Sequence, residues 1–171
     1  MLKSLFRRAD PREAMAPLYR ACVATARAEH WYLAGAVPDT IDGRFDMLAA
    51  VLSVVLVRLE SQGASREGVM LTELFVDDMD GNLRQIGIGD LIVGKHIGRM
   101  MSALGGRIGA YRAALEAEDR AALEEALARN LYRDDAPAPA ALTHVAERIE
   151  AFWAGVSASQ VDALIAGRLP Q

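Results

Sequence analysis

Apolar residues recur along most of this chain with helical spacing, and the strict alternation of a half-buried strand is absent. Met15, Leu18, Tyr19, Cys22, Val23 and Ala26 fall on one face of a first helix, which Pro11 opens as a first-turn proline. The stretch from Gly35 to Gly43 ends it, with Pro38, Asp39, Thr40 and Asp42 as turn formers. A second helix is expected from about Arg44 to Gln62, with Phe45, Leu48, Leu52, Val55, Leu56 and Leu59 inward and Gly63 closing it. Its centre, Met47 to Val57, is the longest apolar run. At 11 residues it falls short of the roughly 20 a bilayer needs, so it predicts a buried core helix.

A third helix begins near Ser65 and carries Leu71, Leu74, Phe75, Met79 and Leu83 until Gly87 and Gly89. A fourth runs from about Asp90 to Leu115, with Ile97, Met100, Met101, Leu104, Ile108, Tyr111 and Leu115 in register. A fifth covers about Asp119 to Tyr132, followed by a stiff Asp/Ala/Pro linker. Leu142, Val145, Ala146, Ile149, Phe152 and Trp153 define a sixth, ended by Gly155. Ser157 and Gln160 have capping-box spacing for a last short helix, ended by Gly167. The pattern predicts an all-α single domain of six or seven helices over residues 11–171, preceded by a basic segment at 1–10.

With 171 residues, 52% of them hydrophobic, the chain can bury a core without staples. The lone Cys22 excludes an internal disulfide and a Cys-rich zinc site, and its apolar neighbours predict a buried, inert thiol. The net charge of −4 is unevenly divided. Residues 59–92 carry 2 basic and 7 acidic groups, and residues 93–115 carry 4 basic and none acidic. An acidic chain argues against DNA or RNA as partner, and the blocks favour charged surfaces for protein partners. In the first residues, Leu2, Leu5 and Phe6 alternate with Lys3, Arg7 and Arg8. They read either as a solvated end or as an amphipathic turn touching an anionic membrane surface. The segment lacks the apolar core and cleavage site of a secretory signal, and Asp10 and Glu13 arrive too early for a mitochondrial leader.

Little in the chain suggests chemistry. Gly89 to Lys95 matches the first part of a phosphate-binding loop, but His96 stands where magnesium needs Ser or Thr, and no strand precedes it. His30, His96 and His144 lie far apart, so no metal site is expected, and His30 is assigned to a helix-end carbonyl. No nucleophile, base and acid assemble into a triad, and Asp77-Asp78 reads as a solvated face. No catalytic residue and no cofactor is expected.

The glycines are more informative. Eight of the 14 lie in residues 81–109, with Gly94 and Gly98, and Gly105 and Gly109, four apart. Each helix-interior glycine costs up to ~1 kcal/mol relative to alanine. The spacing therefore points to close backbone approach, either by a neighbouring helix of the same chain or by a partner. Two charged segments accompany them. In the first, Asp42 is expected to cap a helix and Asp46 to sit near its positive end, while Arg44 needs a carboxylate partner. In the second, Asp90 is expected to cap the fourth helix, and Arg84 and Lys95 either join an ion-pair network or face a partner.

Trp31-Tyr32, then Val-Pro-Asp-Thr-Ile-Asp-Gly-Arg-Phe-Asp at 37–46, Leu-Phe-Val-Asp-Asp-Met-Asp-Gly-Asn-Leu-Arg at 74–84, Gly-Ile-Gly-Asp-Leu-Ile-Val-Gly-Lys at 87–95 and Gly-Arg-Ile-Gly-Ala-Tyr at 106–111 follow in order. Over about residues 15–115 this chain resembles the ubiquinol–cytochrome c chaperone family; residues 116–171 carry no motif that adds to the resemblance. The resemblance implies a non-enzymatic, all-α assembly factor. Such a factor binds newly made cytochrome b for assembly of the ubiquinol–cytochrome c reductase complex, here in a bacterial style. For mitochondrial relatives it also implies a small helical partner and work near the ribosomal exit region. It places the protein in the cytoplasm, meeting its client at the inner face of the cytoplasmic membrane. A client of apolar helices needs small-residue or apolar surface rimmed by charge. Asp42, Arg44, Phe45, Arg84, Asp90, Lys95, Arg99, Met100 and Arg107 are the residues expected to form it. Two other classes compete: a small-ligand protein or enzyme using 87–95, and a membrane-surface scaffold acting through the N-terminus.

Overall fold

The computed structural model describes residues 10–85, 87–133, 135 and 137–170, leaving the side chain of Leu91 aside. Asp10 caps a 3-10 turn at Pro11–Met15 by accepting from the Arg12 amide at 2.9 Å, and the chain continues into α1, Ala16–Ala26. The first helix does not continue to residue 34 as its spacing suggests. It breaks at Arg27 and Ala28, and a single turn, α2, Glu29–Leu33, follows. Side chains of α2 explain the break. Trp31 Nε1 donates to the Thr25 carbonyl and the Tyr32 hydroxyl to the Ala26 carbonyl, both at 2.8 Å, so the open carbonyls of α1 are satisfied from outside.

Helix α3, Ile41–Ser61, is capped by Thr40, whose Oγ1 accepts from the Gly43 amide at 3.0 Å. Thr40 takes the role expected of Asp42 because its backbone is extended, whereas Asp42 already lies in the first turn. Every residue of α3 from Asp46 to Val57 is buried. It is the hub: α1, α4, α5 and α7 all pack on it. The predicted core run therefore has apolar neighbours all round rather than on one face. Gly63, at φ +73°, turns the chain out of α3 and lets the Ala64 amide reach the Leu59 carbonyl at 2.9 Å.

Helix α4, Ser65–Gln85, buries Leu71, Phe75, Met79 and Leu83 and leaves its other face acidic. Helix α5, Asp90–Glu116, lies along α3. Gly89 occupies its cap position, so Asp90 is a first-turn acid rather than the cap. Helix α6, Arg120–Leu127, does not run unbroken to Tyr132; it opens into a π turn at Ala128–Tyr132. Helix α7, Pro139–Ala158, starts on the last linker proline and passes Gly155. The single turn α8, Val161–Ile165, has Gln160 at its cap position without a side-chain bond, and Ser157 Oγ has no partner, so the capping box does not form. Among the described residues there are six helices of eight residues or more, two single turns and no strand. That is the expected all-α domain, with α2 as the addition. No helix in the described residues is long and apolar enough to cross a membrane. The N-terminal amphipathic segment falls almost wholly outside the described residues.

Candidate partner-binding site and the ion-pair cluster beneath it

The expected site residues divide into a buried group and an exposed group. The buried group is built around Asp46, on the second turn of α3 and only 1% exposed. Arg107, from the middle of α5, donates to Asp46 Oδ1 at 2.5 Å. Arg133, just past the π turn, donates to Oδ2 at 2.9 Å and reaches Asp42 at 3.2 Å. Arg107 also lies 5.5 Å from the centre of the Phe45 ring, and Phe45 stacks at 5.8 Å on the buried Phe75. Cation–π contact of this kind favours arginine over lysine.

Burial pushes the Asp46 carboxyl up from the ordinary carboxylate range, and the Arg107 and Arg133 guanidinium groups pull it back. The two flanking cations favour its charged form against the cost of burial. A buried charge of this kind persists only when paired. The cluster therefore ties α3, α5 and the π turn into one register. Arg133 adopts φ +54°, a left-handed backbone that costs a non-glycine residue energy. The neighbouring Tyr132 hydroxyl donates to the Gly35 carbonyl at 2.5 Å. Strain at Arg133 is thus held in place by two adjacent anchors at the end of the π turn.

Phe45 and Arg107 meet against the core, while Asp42 stays on the surface and joins the cluster only through Arg133. Arg107 is too buried to greet a partner, and its role is to position α5. Arg44 has the carboxylate it requires: Asp39 accepts from its Nε at 2.6 Å, on the surface. Arg84 is paired with Asp80 at 2.6 Å and with Asp90, fastening the α4–α5 corner. Asp46 and Arg133 are the members the sequence did not single out. Asp46 read as an ordinary first-turn acid, and no local pattern announces that Arg133 folds back onto it.

The exposed group lies along α5. Lys95 and Arg99 are exposed, with no carboxylate in ion-pair range among the described residues, and Met100 is half-buried beside them. The glycines of this helix are open. A Cβ added at Gly94, Gly98, Gly105, Gly106 or Gly109 meets no atom within 4 Å. Packing inside the chain therefore does not account for them. Ile92, 55% exposed, continues the same helix.

Comparison with known proteins matches this architecture. Residues 34–170 fit the family model described as ubiquinol-cytochrome C chaperone. The chain belongs to the ubiquinol–cytochrome c chaperone family. The match reaches through α6, α7 and α8, so the family signal extends well beyond the residue 115 boundary suggested by the local motifs. The chain is also similar to the crystal structure of the Cbp3 homolog from Brucella abortus, at 32% identity and a TM-score of 0.80, over 99% of this chain and 95% of that one. No curated protein matches it. Membership makes this a chaperone of ubiquinol–cytochrome c reductase assembly, in a family that is generally non-enzymatic.

Two features of the family member stand apart from the charged cluster. Cys22 is fully buried, and burial pushes its thiol up to about 12, consistent with the inert role expected. His30 does not satisfy a helix-end carbonyl, since Trp31 and Tyr32 take those nearby. Its Nδ1 faces His144 Nε2 at 3.2 Å, joining α2 to α7 across 114 positions of sequence. Burial, the positive Arg148 and His144 lower the His30 pKa below 6.5. The unfolded chain therefore binds more protons than the folded one as pH falls through about 6.5, and stability drops there. The melting temperature is expected to fall between pH 7.5 and 5.5, and to fall less in His30→Gln. Equal pH dependence in the two proteins would show that this pair is not coupled to folding.

Proposed function

We propose that this chaperone binds newly made cytochrome b along the open face of α5 and holds it for insertion into the reductase complex. The observation that carries the surface assignment is the set of glycines on α5 whose missing side chains face open space, flanked by the unpaired cations Lys95 and Arg99. Glycine at an exposed helix interior costs stability with no return inside the molecule. It does let the backbone of another helix approach closely. Met100 packs against the core on the opposite side of the helix and supports this face from behind. Arg44, Arg84, Asp90 and Asp42 lie on the exposed surface, while Phe45 and Asp46 hold α5 from below through Arg107. Binding takes place on the cytoplasmic side, where an apolar client meets the inner face of the membrane. A small helical partner and the ribosomal exit region are further contacts this reading allows.

Reversing charge with Lys95→Glu and Arg99→Glu is expected to cut cytochrome b co-purification about fivefold or more, because rim charges set encounter and register. The melting temperature should stay unchanged, since neither side chain has an ion-pair partner among the described residues. Gly98→Ala is expected to stabilise the fold by roughly 0.5–1 kcal/mol while weakening client capture. Undiminished capture in both variants, with the fold intact, would remove the client from α5.

A further inference from the structure

A second surface lies between α4 and α5, beside the glycine face. The two helices leave a groove of about 620 Å³ whose floor includes Leu56 of α3. Val69, Val76, Met101 and Ile108 line its walls, and Val69 is 58% exposed. Gly68 keeps one wall low: a Cβ there would rest 3.5 Å from Leu56 Cδ2. The rim is acidic. Glu60, Glu73 and Asp77 edge the groove with side chains more than half exposed; Glu60 is paired with Arg112, so the excess charge lies at the Glu73–Asp77 end. Arg12 is shared among Asp10, Glu73 and Asp77, which leaves that end with excess negative charge.

We infer that this groove docks a cationic amphipathic helix of a partner protein, with apolar side chains on the floor and Lys or Arg against the rim. Charge selects this occupant. A second copy related by a two-fold axis would set its own acidic α4 against these carboxylates, which like charge opposes. An apolar floor with i, i+4 pockets is the surface that helix-in-groove recognition uses, and Met101 adapts to the side chains that enter. From Ser65 to Asp77 the wall measures ~18 Å at the rise of a helix, which suits an occupant of about 12–14 residues. This surface does not depend on which membrane protein occupies the α5 face.

The test titrates the full-length protein with labelled 14-residue helical peptides, followed by fluorescence anisotropy. A Leu/Lys amphipathic peptide is expected to bind about tenfold more tightly than its Leu/Glu counterpart and than a Ser/Lys peptide of the same charge. Val69→Lys and Glu73→Lys should each weaken it about fivefold or more, whereas Ile92→Lys, at an exposed apolar site outside the groove, should leave it unchanged. Circular dichroism melts confirm that each variant is folded. Equal binding of the Ser/Lys peptide, or equal loss in Ile92→Lys, would mean that the acidic surface attracts cations without a groove. A dimer that Val69→Lys dissociates in sedimentation would assign the groove to a second copy. Tighter peptide binding in Lys3→Glu/Arg7→Glu/Arg8→Glu would assign it to the chain's own basic segment. Each of these results overturns the inference.

Discussion

Replacing Asp46 by alanine is expected to lower the stability of this protein by about 3–5 kcal/mol, the usual cost of leaving a buried ion without its partner. In a chain of this size that is roughly a 10 °C loss in melting temperature. The size of the effect follows from geometry. Arg107 is nearly as buried as Asp46, and two of its nitrogens, Nε and Nη1, already have no hydrogen-bond partner. Without the carboxylate its charge has only the Phe45 ring and a long contact of 3.4 Å to the Asn130 carbonyl. Arg133 is half-exposed and remains solvated, so Arg133→Ala should cost less, about 1 kcal/mol. A double-mutant cycle between positions 46 and 107 should give a large coupling, and Asp46→Ala/Arg107→Met should recover part of the loss. Additive single effects would mean that the pair does not hold α3 to α5.

The second large effect is expected at Gly43. This glycine lies in the first turn of α3, directly over the incoming loop. A Cβ there would sit 1.9 Å from the Pro38 carbonyl oxygen. The clashing atom is backbone, so no side-chain rotation relieves it. Gly43→Ala gains up to ~1 kcal/mol of helix propensity but displaces the loop that carries Val37 into the core, and a net loss of at least ~2 kcal/mol is expected. Thermal or denaturant unfolding measures it. Gly98→Ala is the control, because the same substitution there meets nothing and should stabilise. If both variants shift stability in the same direction, the contrast drawn between structural and open glycines fails.

Most of the fold was legible in the sequence, for a physical reason. Helices that bury one face write a period into the chain, as α4 does with Leu71, Phe75, Met79 and Leu83, and α3 announces itself instead by an unbroken apolar run. The errors fall where tertiary contacts override local pattern. The break after Ala26 depends on Trp31 and Tyr32 reaching back to α1, and the π turn at Ala128–Tyr132 depends on Arg133 reaching Asp46, 87 positions earlier. Caps were misplaced by one or two residues at Asp42 and Asp90, where several side chains at one helix start have capping chemistry and only the backbone angle chooses among them.

The site was legible in composition but not in arrangement. Of the motif residues, Phe45 and Arg107 gather with Asp46 as a buried brace, and Asp42 touches its exposed end through Arg133. Asp46 looked like a dipole-friendly acid, and its burial follows from the packing of α5, which no local spacing reports. His30 and His144 meet at 3.2 Å although 114 positions separate them, a contact that no local spacing reports. The glycine cluster left two readings open, and the open space around it favours the partner over internal packing. What composition did indicate was the setting: the chain's longest block of uncompensated positive charge lies on the same helix as the clustered glycines.

The central claim is that this chaperone supports cytochrome b on its way into the reductase complex. It is tested most directly by measuring b-type haem absorbance and ubiquinol–cytochrome c reductase activity in membranes of cells lacking the gene. The same membranes are compared after return of the wild-type gene or of the Lys95→Glu/Arg99→Glu form. The account predicts loss of both signals in the deletion strain, recovery with the wild type, and poor recovery with the charge-reversed form. Normal cytochrome b and full activity in the deletion strain would contradict it.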